Sequence, residues 1–486
     1  MNSEDSLPGS FLARLYAQMG RVKADRLIRA LGEEPAVSVR LNPVKRTSHL
    51  LTGEPVPWCS EGWYLPERPS FTLDPHLHAG AYYVQESSSM FLEQVMHQFA
   101  GEMHNPLVLD LCGAPGGKST HLSSLFPGGI ILANEVIRDR ASILAENVTK
   151  WGTGNVVVTS GDPSAFSSLD SLFDIMVVDA PCSGEGMFRN RFVAEQWSVE
   201  NSVMCAERQR RILMDAWPAL RRNGLLVYST CTFNPAENEE NLAWLSDNRN
   251  VEPVQLVTKP EWGVEEVNYR GITGYAFHPG KVRGEGFFIS VLRKLNGNDD
   301  ADTVARLNDL QKQGRVEKPG SGTRRMNLQA GRGRGGSGSE TGLKGSPGRA
   351  PVSQVAEGWI TGDYLSPVMI KEFIILPAAP PPLLSLLRRR LNVVKSGTLL
   401  GELKGKDIIP SHELALYSNL NLQSFPVMEL TEDEALDYLR RNPLPFRGGE
   451  KGWNLVMFDG SALGWIKNIG SRYNNYYPVN WRIRIS

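Results

Sequence analysis

Six short apolar runs, rich in β-branched residues, recur between Pro106 and about Leu292 and constrain the fold more than any other feature. They are Leu107–Leu111, Ile130–Asn134, Val156–Thr159, Ile175–Asp179, Leu225–Ser229 and Phe287–Leu292, with stretches of helical character between them. Short, nearly continuous apolar runs are strands covered on both faces. Strands that alternate with helices build βαβ units. The expected fold class is therefore α/β, with a doubly wound, mostly parallel sheet. Such sheets bind ligands outside the carboxyl ends of their strands. Two of the runs lead there into a cysteine: Asp179-Ala180-Pro181-Cys182-Ser183-Gly184 and Ser229-Thr230-Cys231-Thr232.

At 486 residues the chain is too long for one ordinary domain; roughly two to four are expected. A formal net charge of −1 leaves no global positive field, so any contact with nucleic acid must come from local patches. The five cysteines, Cys59, Cys112, Cys182, Cys205 and Cys231, include no C-x-x-C pair, which argues against a zinc site and a disulfide framework. No metal is expected. Reduced thiols, an amino terminus without signal-peptide layout and no apolar run long enough to span a bilayer point to a cytoplasmic protein without membrane contact.

The composition divides the chain into a mixed lead-in (1–103), the alternating region (104–295), a Gly/Arg/Ser-rich stretch (296–356) and two further segments (357–430 and 431–486). The third includes Gly331-Arg332-Gly333-Arg334-Gly335, cannot bury a core and reads as a flexible linker. Asn234-Pro235-Ala236-Glu237 reads as a helix start, with Asn234 as cap and Glu237 at the third position. Phe373–Leu376 and Leu399–Leu403 are expected strands, and Thr431–Arg441 a helix capped by Thr431. The last segment, rich in aromatics and glycines, reads as a small β-rich module.

The first run continues as Cys112-Gly113-Ala114-Pro115-Gly116-Gly117-Lys118. Its glycine spacing fits neither a Walker A loop nor a dinucleotide fingerprint. It remains a glycine-rich turn with a helix amino end behind it. Glu135 ends the second strand, where an acid would hold ribose hydroxyls, and Asp162 follows the third, where it could meet an adenine amino group. A turn, a ribose acid and a base acid in strand order suit S-adenosylmethionine, a cofactor without phosphate.

Methylation at carbon 5 of cytosine needs a nucleophile, because that carbon is unreactive. A thiolate added to C6 makes the ring an enamine, and a carboxyl group near N3 and the exocyclic amine stabilises the charge that develops. Asp179 is placed for the second task. DNA cytosine-5 methyltransferases use the thiol of a Pro-Cys motif, which would be Cys182; the residues alone leave Cys182 and Cys231 both open. Cys59, Cys112 and Cys205 read as packing residues.

The chain resembles the RNA (cytosine-5) methyltransferases of the Sun/NSUN group, and within it the RsmF-type bacterial enzymes. The resemblance rests on Arg40-Leu41-Asn42-Pro43-Val44-Lys45, Tyr83-Val84-Gln85-Glu86, the glycine-rich turn, Asp179–Gly186, Ser229–Asn238 and, in the tail, Pro410–Leu416 with the final aromatic segment. It implies a class I, Rossmann-like methyltransferase domain at 104–295, an α+β RNA-binding lead-in, an RsmF-type intermediate domain at 357–430 and a PUA-like module at 431–486. It makes Cys231 the nucleophile, Cys182 the thiol that assists release, and Cys112, Gly113, Ala114, Pro115, Gly116, Gly117, Lys118, Glu135, Asp162 and Asp179 the cofactor contacts. Lys118 reads as an active-edge residue rather than a phosphate clamp. The implied activity is formation of 5-methylcytosine in 16S ribosomal RNA, by a monomer acting on that RNA or on the small subunit. Transfer RNA is the alternative substrate, and a ribosome-assembly factor with secondary catalysis the alternative role. Arg388-Arg389-Arg390 and Arg472–Tyr477 are candidate RNA contacts. Removing everything after Ala356 is expected to weaken RNA binding and spare cofactor binding. Asn190-Arg191-Phe192 departs from the family's usual Lys-Asp-Pro.

Overall fold

The structure, a computed structural model, describes residues 7–45, 53–297, 358–362 and 365–485. The lead-in opens with two helices, α1 (Gly9–Met19) and α2 (Arg21–Leu31), joined at Gly20, whose φ of 74° suits glycine. An antiparallel sheet follows, of β1 (Val37–Leu41), β2 (Glu54–Pro55), β3 (Gly62–Leu65) and β4 (Tyr82–Val84), in the order β2-β3-β1-β4. Helices α3 (Pro75–Ala79) and α4 (Leu92–Phe99) complete this part. Arg40 of β1 is buried and donates to Gln85 Oε1, to the Gly117 carbonyl and to Thr120 Oγ1. The lead-in is thereby bolted onto the helix behind the glycine turn.

Five parallel strands form the centre: β5 (Leu107–Asp110), β6 (Ile130–Asn134), β7 (Val156–Thr159), β8 (Phe173–Asp179) and β9 (Leu220–Thr230). Their order is β9-β8-β5-β6-β7. The chain leaves β5 in one direction and β8 in the other, so the switch point lies at the carboxyl ends of β5 and β8. Four antiparallel strands extend the β9 side: β10 (Val251–Pro253), β11 (Glu265–Tyr269), β12 (Ile272–Phe277) and β13 (Phe287–Lys294). All six expected strands are present. The last, β13, runs antiparallel to β9; β10 and β11 carry too many polar residues to stand out as apolar runs, and β12 is broken by Thr273 and Gly274.

Both faces of the sheet are covered, which explains the unbroken apolar strands. Leu107 and Leu109 of β5 and Met176 and Val178 of β8 face one core, with Leu213 of α8 (Val199–Ala216), which follows the short α7 (Arg191–Gln196), and Leu242 of α9 (Glu239–Asn248). Val108, Ile175 and Val177 face the other, with Leu122 of α5 (Gly117–Leu125) and Leu144 of α6 (Arg138–Trp151). Between β7 and β8 the chain makes only a 3₁₀ turn, Pro163–Ser168. The missing cover comes from far along the sequence. Helix α10 (Pro381–Arg390) sets Leu383, Leu384 and Leu387 into the first core, and the next strand, Val393–Lys395, pairs antiparallel with β7 at the sheet edge. The segment expected as a separate domain at 357–430 thus completes the methyltransferase sheet. Deleting everything after Ala356 would strip that cover as well as any RNA contact.

The expected linker at 296–356 lies outside the described residues from 298 onward. Beyond it, Phe373–Pro377 and Gly397–Lys404 are paired strands, as expected. Helix α11 (Glu432–Arg440) has Thr431 as its cap in a full capping box with Glu434. The last sheet joins Val427–Glu429, Gly452–Phe458, Ser461–Asn468 and Tyr473–Asn475 in that order, so it draws in residues ahead of 431. Tyr477 is fully buried against Tyr438 and His412 and belongs to the core of this module; of the tail's candidate stacking residues, Tyr476 is exposed.

Leu383 is fully buried, so Leu383→Ala in the whole chain is expected to lower unfolding free energy by about 2–5 kcal/mol. Urea unfolding would measure this; a loss below about 0.5 kcal/mol, the range of neutral surface changes, would show that α10 does not cover the sheet.

Candidate active site

The site grows from the carboxyl ends of β5, β6, β8 and β9. After β5 the glycine turn is held by two backbone bonds, Leu111 N–H to the Val177 carbonyl (2.9 Å) and Gly113 N–H to the Asn134 carbonyl (2.7 Å). A Cβ on Gly113 would stand 2.8 Å from Ser119 Oγ and 3.2 Å from Asp110 Oδ2, so a side chain there would displace the Ser119–Asp110 pair. Gly116, with φ of 119°, opens α5. Asp110 accepts from Ser119 Oγ at 2.6 Å, while its other oxygen is buried without a hydrogen-bond partner. Burial pushes Asp110 up to about 6. Burial also pushes the Cys112 thiol upward, which keeps it protonated.

Glu135 is buried just beyond β6; it accepts from Ile137 N–H at 3.0 Å and faces Arg140 at 3.3 Å. Asp162 lies beyond β7, caps the Pro163–Ser168 turn through Ser164 N–H at 3.0 Å, and has a half-exposed side chain 3.7 Å from Arg211. The Ser164 bonds hold its carboxyl below the usual range.

The two cysteine motifs meet. Parallel pairing sets Asp179 of β8 level with Ser229 of β9, and the chains leaving those strands bring Cys182 Sγ within 2.9 Å of Cys231 Sγ. Cys231 N–H also donates to Cys182 Sγ at 3.3 Å. Both thiols are partly exposed. The hydrogen bond to Cys231, reinforced by burial, pushes the Cys182 thiol well up. Gly186 closes the floor: its N–H donates to the Cys231 carbonyl at 2.9 Å, and a Cβ there would lie 2.4 Å from the Gly286 carbonyl oxygen.

Asp179 accepts from Ser229 Oγ at 2.7 Å and from Lys118 Nζ at 2.8 Å. Burial alone would pull Lys118 down, but the Asp179 charge outweighs it and the ammonium is held up. Lys118 is thus engaged by Asp179 at the end of β8.

Sequence reasoning missed several residues here. Asn234 does cap a turn, accepting from Ala236 N–H at 3.2 Å, but that turn is the 3₁₀ segment Pro235–Glu237. Glu237 does more than serve the cap: it is buried and accepts from Ser183 N–H (2.9 Å), Ser183 Oγ (2.5 Å) and Gln209 Nε2 (3.0 Å), with Asn234 Nδ2 at 3.4 Å. Burial pushes Glu237 up and these donors oppose it. Its motif was visible in the sequence and its partner was not, because Ser183 is 54 residues away. Glu185, also buried, pairs with Arg14 of α1 at 2.5 Å, which ties the lead-in to the site. Gln209 carries no sequence signal within its charged helix.

Of the cysteines read as packing residues, Cys205 is buried on α8. Cys59 is buried beside Glu93 and His121, whose donor atoms lie close enough together for an ion. Their polar atoms are largely used among themselves: Cys59 Sγ and His121 Nε2 both bond Glu93 Oε2, at 3.1 and 3.0 Å. Burial pushes Glu93 up, but the bonds from His121, Ser60 and Cys59 prevail and hold it down to about 2.

A doubly wound sheet with a glycine turn after its first central strand and acids at the next strand ends belongs to the methyltransferase class of α/β enzymes. Comparison with known proteins makes this specific. The family described as 16S rRNA methyltransferase RsmB/F matches residues 99–293, the N-terminal domain of 16S rRNA methyltransferase RsmF matches 7–87, and the methyltransferase RsmF PUA domain matches 425–483. Ribosomal RNA small subunit methyltransferase F of Klebsiella pneumoniae (strain 342) is 30% identical over 97% of this chain and 95% of its own length. The enzyme of that name from Aliivibrio fischeri (strain MJ11) is 28% identical over 98% of each chain. The solved structure of a methyltransferase homolog protein from Pyrococcus horikoshii shares 29% identity with a TM-score of 0.51, over 59% of this chain and 95% of that one. The chain belongs to the RsmB/F family of 16S rRNA methyltransferases.

Asp110 gives the site a pH signature. An acid whose folded pKa is about 6 against an ordinary 3.8 contributes stability that is complete below the lower value and lost as pH rises through the upper. Relative to Asp110→Asn, the wild type is expected to lose about 3 kcal/mol between about pH 4 and pH 7. Denaturant unfolding of both proteins across that range would measure it, and parallel pH profiles would contradict the assignment.

Proposed function

We propose that this enzyme methylates carbon 5 of a cytosine in 16S ribosomal RNA, using S-adenosylmethionine and a transient bond between Cys231 and C6 of the base. The single observation that carries the reading is the contact of two thiols, 2.9 Å apart, beside an acid held by Lys118 and Ser229.

The residues present fit the cofactor. The turn Cys112–Lys118 is a tight glycine turn opening a helix, Asp110 keeps a buried oxygen without a partner, and Glu135 and Asp162 lie at the next two strand ends. Lys118, the cation of the turn, is engaged by Asp179, which suits a ligand without phosphate. These residues and Asp179 are the assigned contacts. When bound, the cofactor supplies an electrophilic methyl group on a sulfonium.

The chain's own groups do the rest. Cys231 Sγ, as thiolate, adds to C6, and the electron pair displaced from the C5–C6 double bond makes C5 nucleophilic. Asp179 accepts from the exocyclic amine and holds the base, and the Lys118 ammonium paired with it offsets the negative charge that builds on the ring. Once C5 carries the methyl group, a base takes its proton, the double bond re-forms and Cys231 leaves with its electron pair. Cys182, in contact with that sulfur, assists the departure. A paired cytosine must first be turned out of its stack, and loop bases do this at least cost. Exposed Arg388–Arg390 at the end of α10 and the PUA-like module are the assigned RNA contacts, with the lead-in as a further one. The enzyme is read as a cytoplasmic monomer.

The test is transfer of labelled methyl to unmodified small subunits, 16S RNA and transfer RNA, with the product identified as 5-methylcytosine. Label on 16S RNA that disappears in Cys231→Ala is the expected result. Label confined to transfer RNA would overturn the substrate, and an active Cys231→Ala would make Cys182 the attacking thiol. Cys182→Ala is expected to accumulate a covalent protein–RNA adduct visible as a shifted band in a denaturing gel. Absence of that band with a verified substrate would remove Cys182 from the release step.

A further inference from the structure

Two thiols in contact pose a question that their motifs do not answer: what makes one attack and the other retain its proton. The local charges differ. Glu237 lies behind Cys182, joined to the next residue by both Ser183 N–H and Ser183 Oγ. Gln209 ties the same loop down, donating to the Pro181 carbonyl and to Glu237, both at 3.0 Å. With Asn234, every polar contact of the Glu237 carboxyl is with a donor, the arrangement of an ionised acceptor. Through both Ser183 bonds the carboxylate is held against the residue that follows Cys182. On the other side, Lys118 pairs with Asp179, which also accepts from Ser229, two residues before Cys231.

We infer that Glu237 is a positioning residue that fixes the Cys182 loop and keeps the proton shared by the two thiols on Cys182, while Lys118 favours the anion on Cys231. The Cys182 S–H then points at Cys231 Sγ and is ready to return a proton to that sulfur as it leaves the base. The inference rests on the proposed roles of the two thiols.

The test needs neither RNA nor cofactor. The full chain is treated with limiting iodoacetamide at one fixed pH, and labelling at Cys231 and Cys182 is counted by peptide mass spectrometry. In wild type Cys231 is expected to be labelled first, because the thiolate is the reacting form. Glu237→Gln keeps the size and removes the charge; the ratio of Cys231 to Cys182 labelling is expected to fall about tenfold, the effect of about one pH unit in relative proton affinity. Ser183→Ala removes one bond and leaves the carboxylate, so the ratio is expected to stay within about twofold. A folded Glu237→Gln protein with an unchanged ratio overturns the inference, as does a Ser183→Ala protein that shifts it equally. Should Glu237→Gln not fold, Lys118→Gln carries the test from the other side: a fallen ratio supports the inference and an unchanged one overturns it. Labelling of Cys182 first in wild type also overturns it. Failure of methyl transfer to RNA would instead overturn the proposed substrate and leave the thiol ratio standing.

Discussion

The parallel pairing of β8 with β9 is the constraint on which the rest depends. It sets Asp179 beside Ser229, and three residues past one strand and one residue past the other the chain reaches Cys182 and Cys231. A slip of one residue would turn the strand side chains to the opposite core and separate the thiols. The alternation of Ile175 and Val177 against Met176 and Val178 forbids that slip, because each pair belongs to a different buried core. Catalytic geometry is thus held by burial on two faces.

Around this frame, parts distant in sequence converge. The lead-in reaches the site through Arg40 at the glycine turn and through Arg14 at Glu185. The carboxyl-terminal part replaces a helix that the β7–β8 connection lacks, and adds an edge strand to β7. That strand also covers an edge that would otherwise offer unpaired backbone groups. The regions assigned to RNA are therefore structural parts of the catalytic unit, and a change in one reaches the other through shared core residues such as Leu383 and Phe166.

Much of the fold was legible because burial on both faces writes an unbroken apolar run into the sequence. The strands Ile130–Asn134 and Val156–Thr159 have the bounds that their composition suggests. β9 begins earlier than its apolar run because Leu220 already pairs with Phe173, ahead of an irregular stretch, Arg221 to Gly224, that carries two arginines and an asparagine. β11 and β12 form a hairpin about Arg270 and Gly271, both at positive φ, and the mostly exposed β11 has no apolar signature. Glu237 was misjudged for a related reason. Its local pattern fits a helix cap, and a local pattern cannot reveal a partner that only tertiary contact supplies.

The sequence by itself determined the class of sheet, its carboxyl edge, the glycine turn, the strand-end acids and the two cysteine motifs. Each is written in short-range terms: apolar periodicity, turn residues or a strand followed by a functional side chain. Tertiary structure alone decided that the thiols touch, that Lys118 pairs with Asp179, that Glu237 anchors Ser183, and that Tyr477 is core and not surface. These are contacts between residues 49 or more positions apart, or burial by a distant segment. They follow from which strands pair and which faces close, and no window along the chain holds that information.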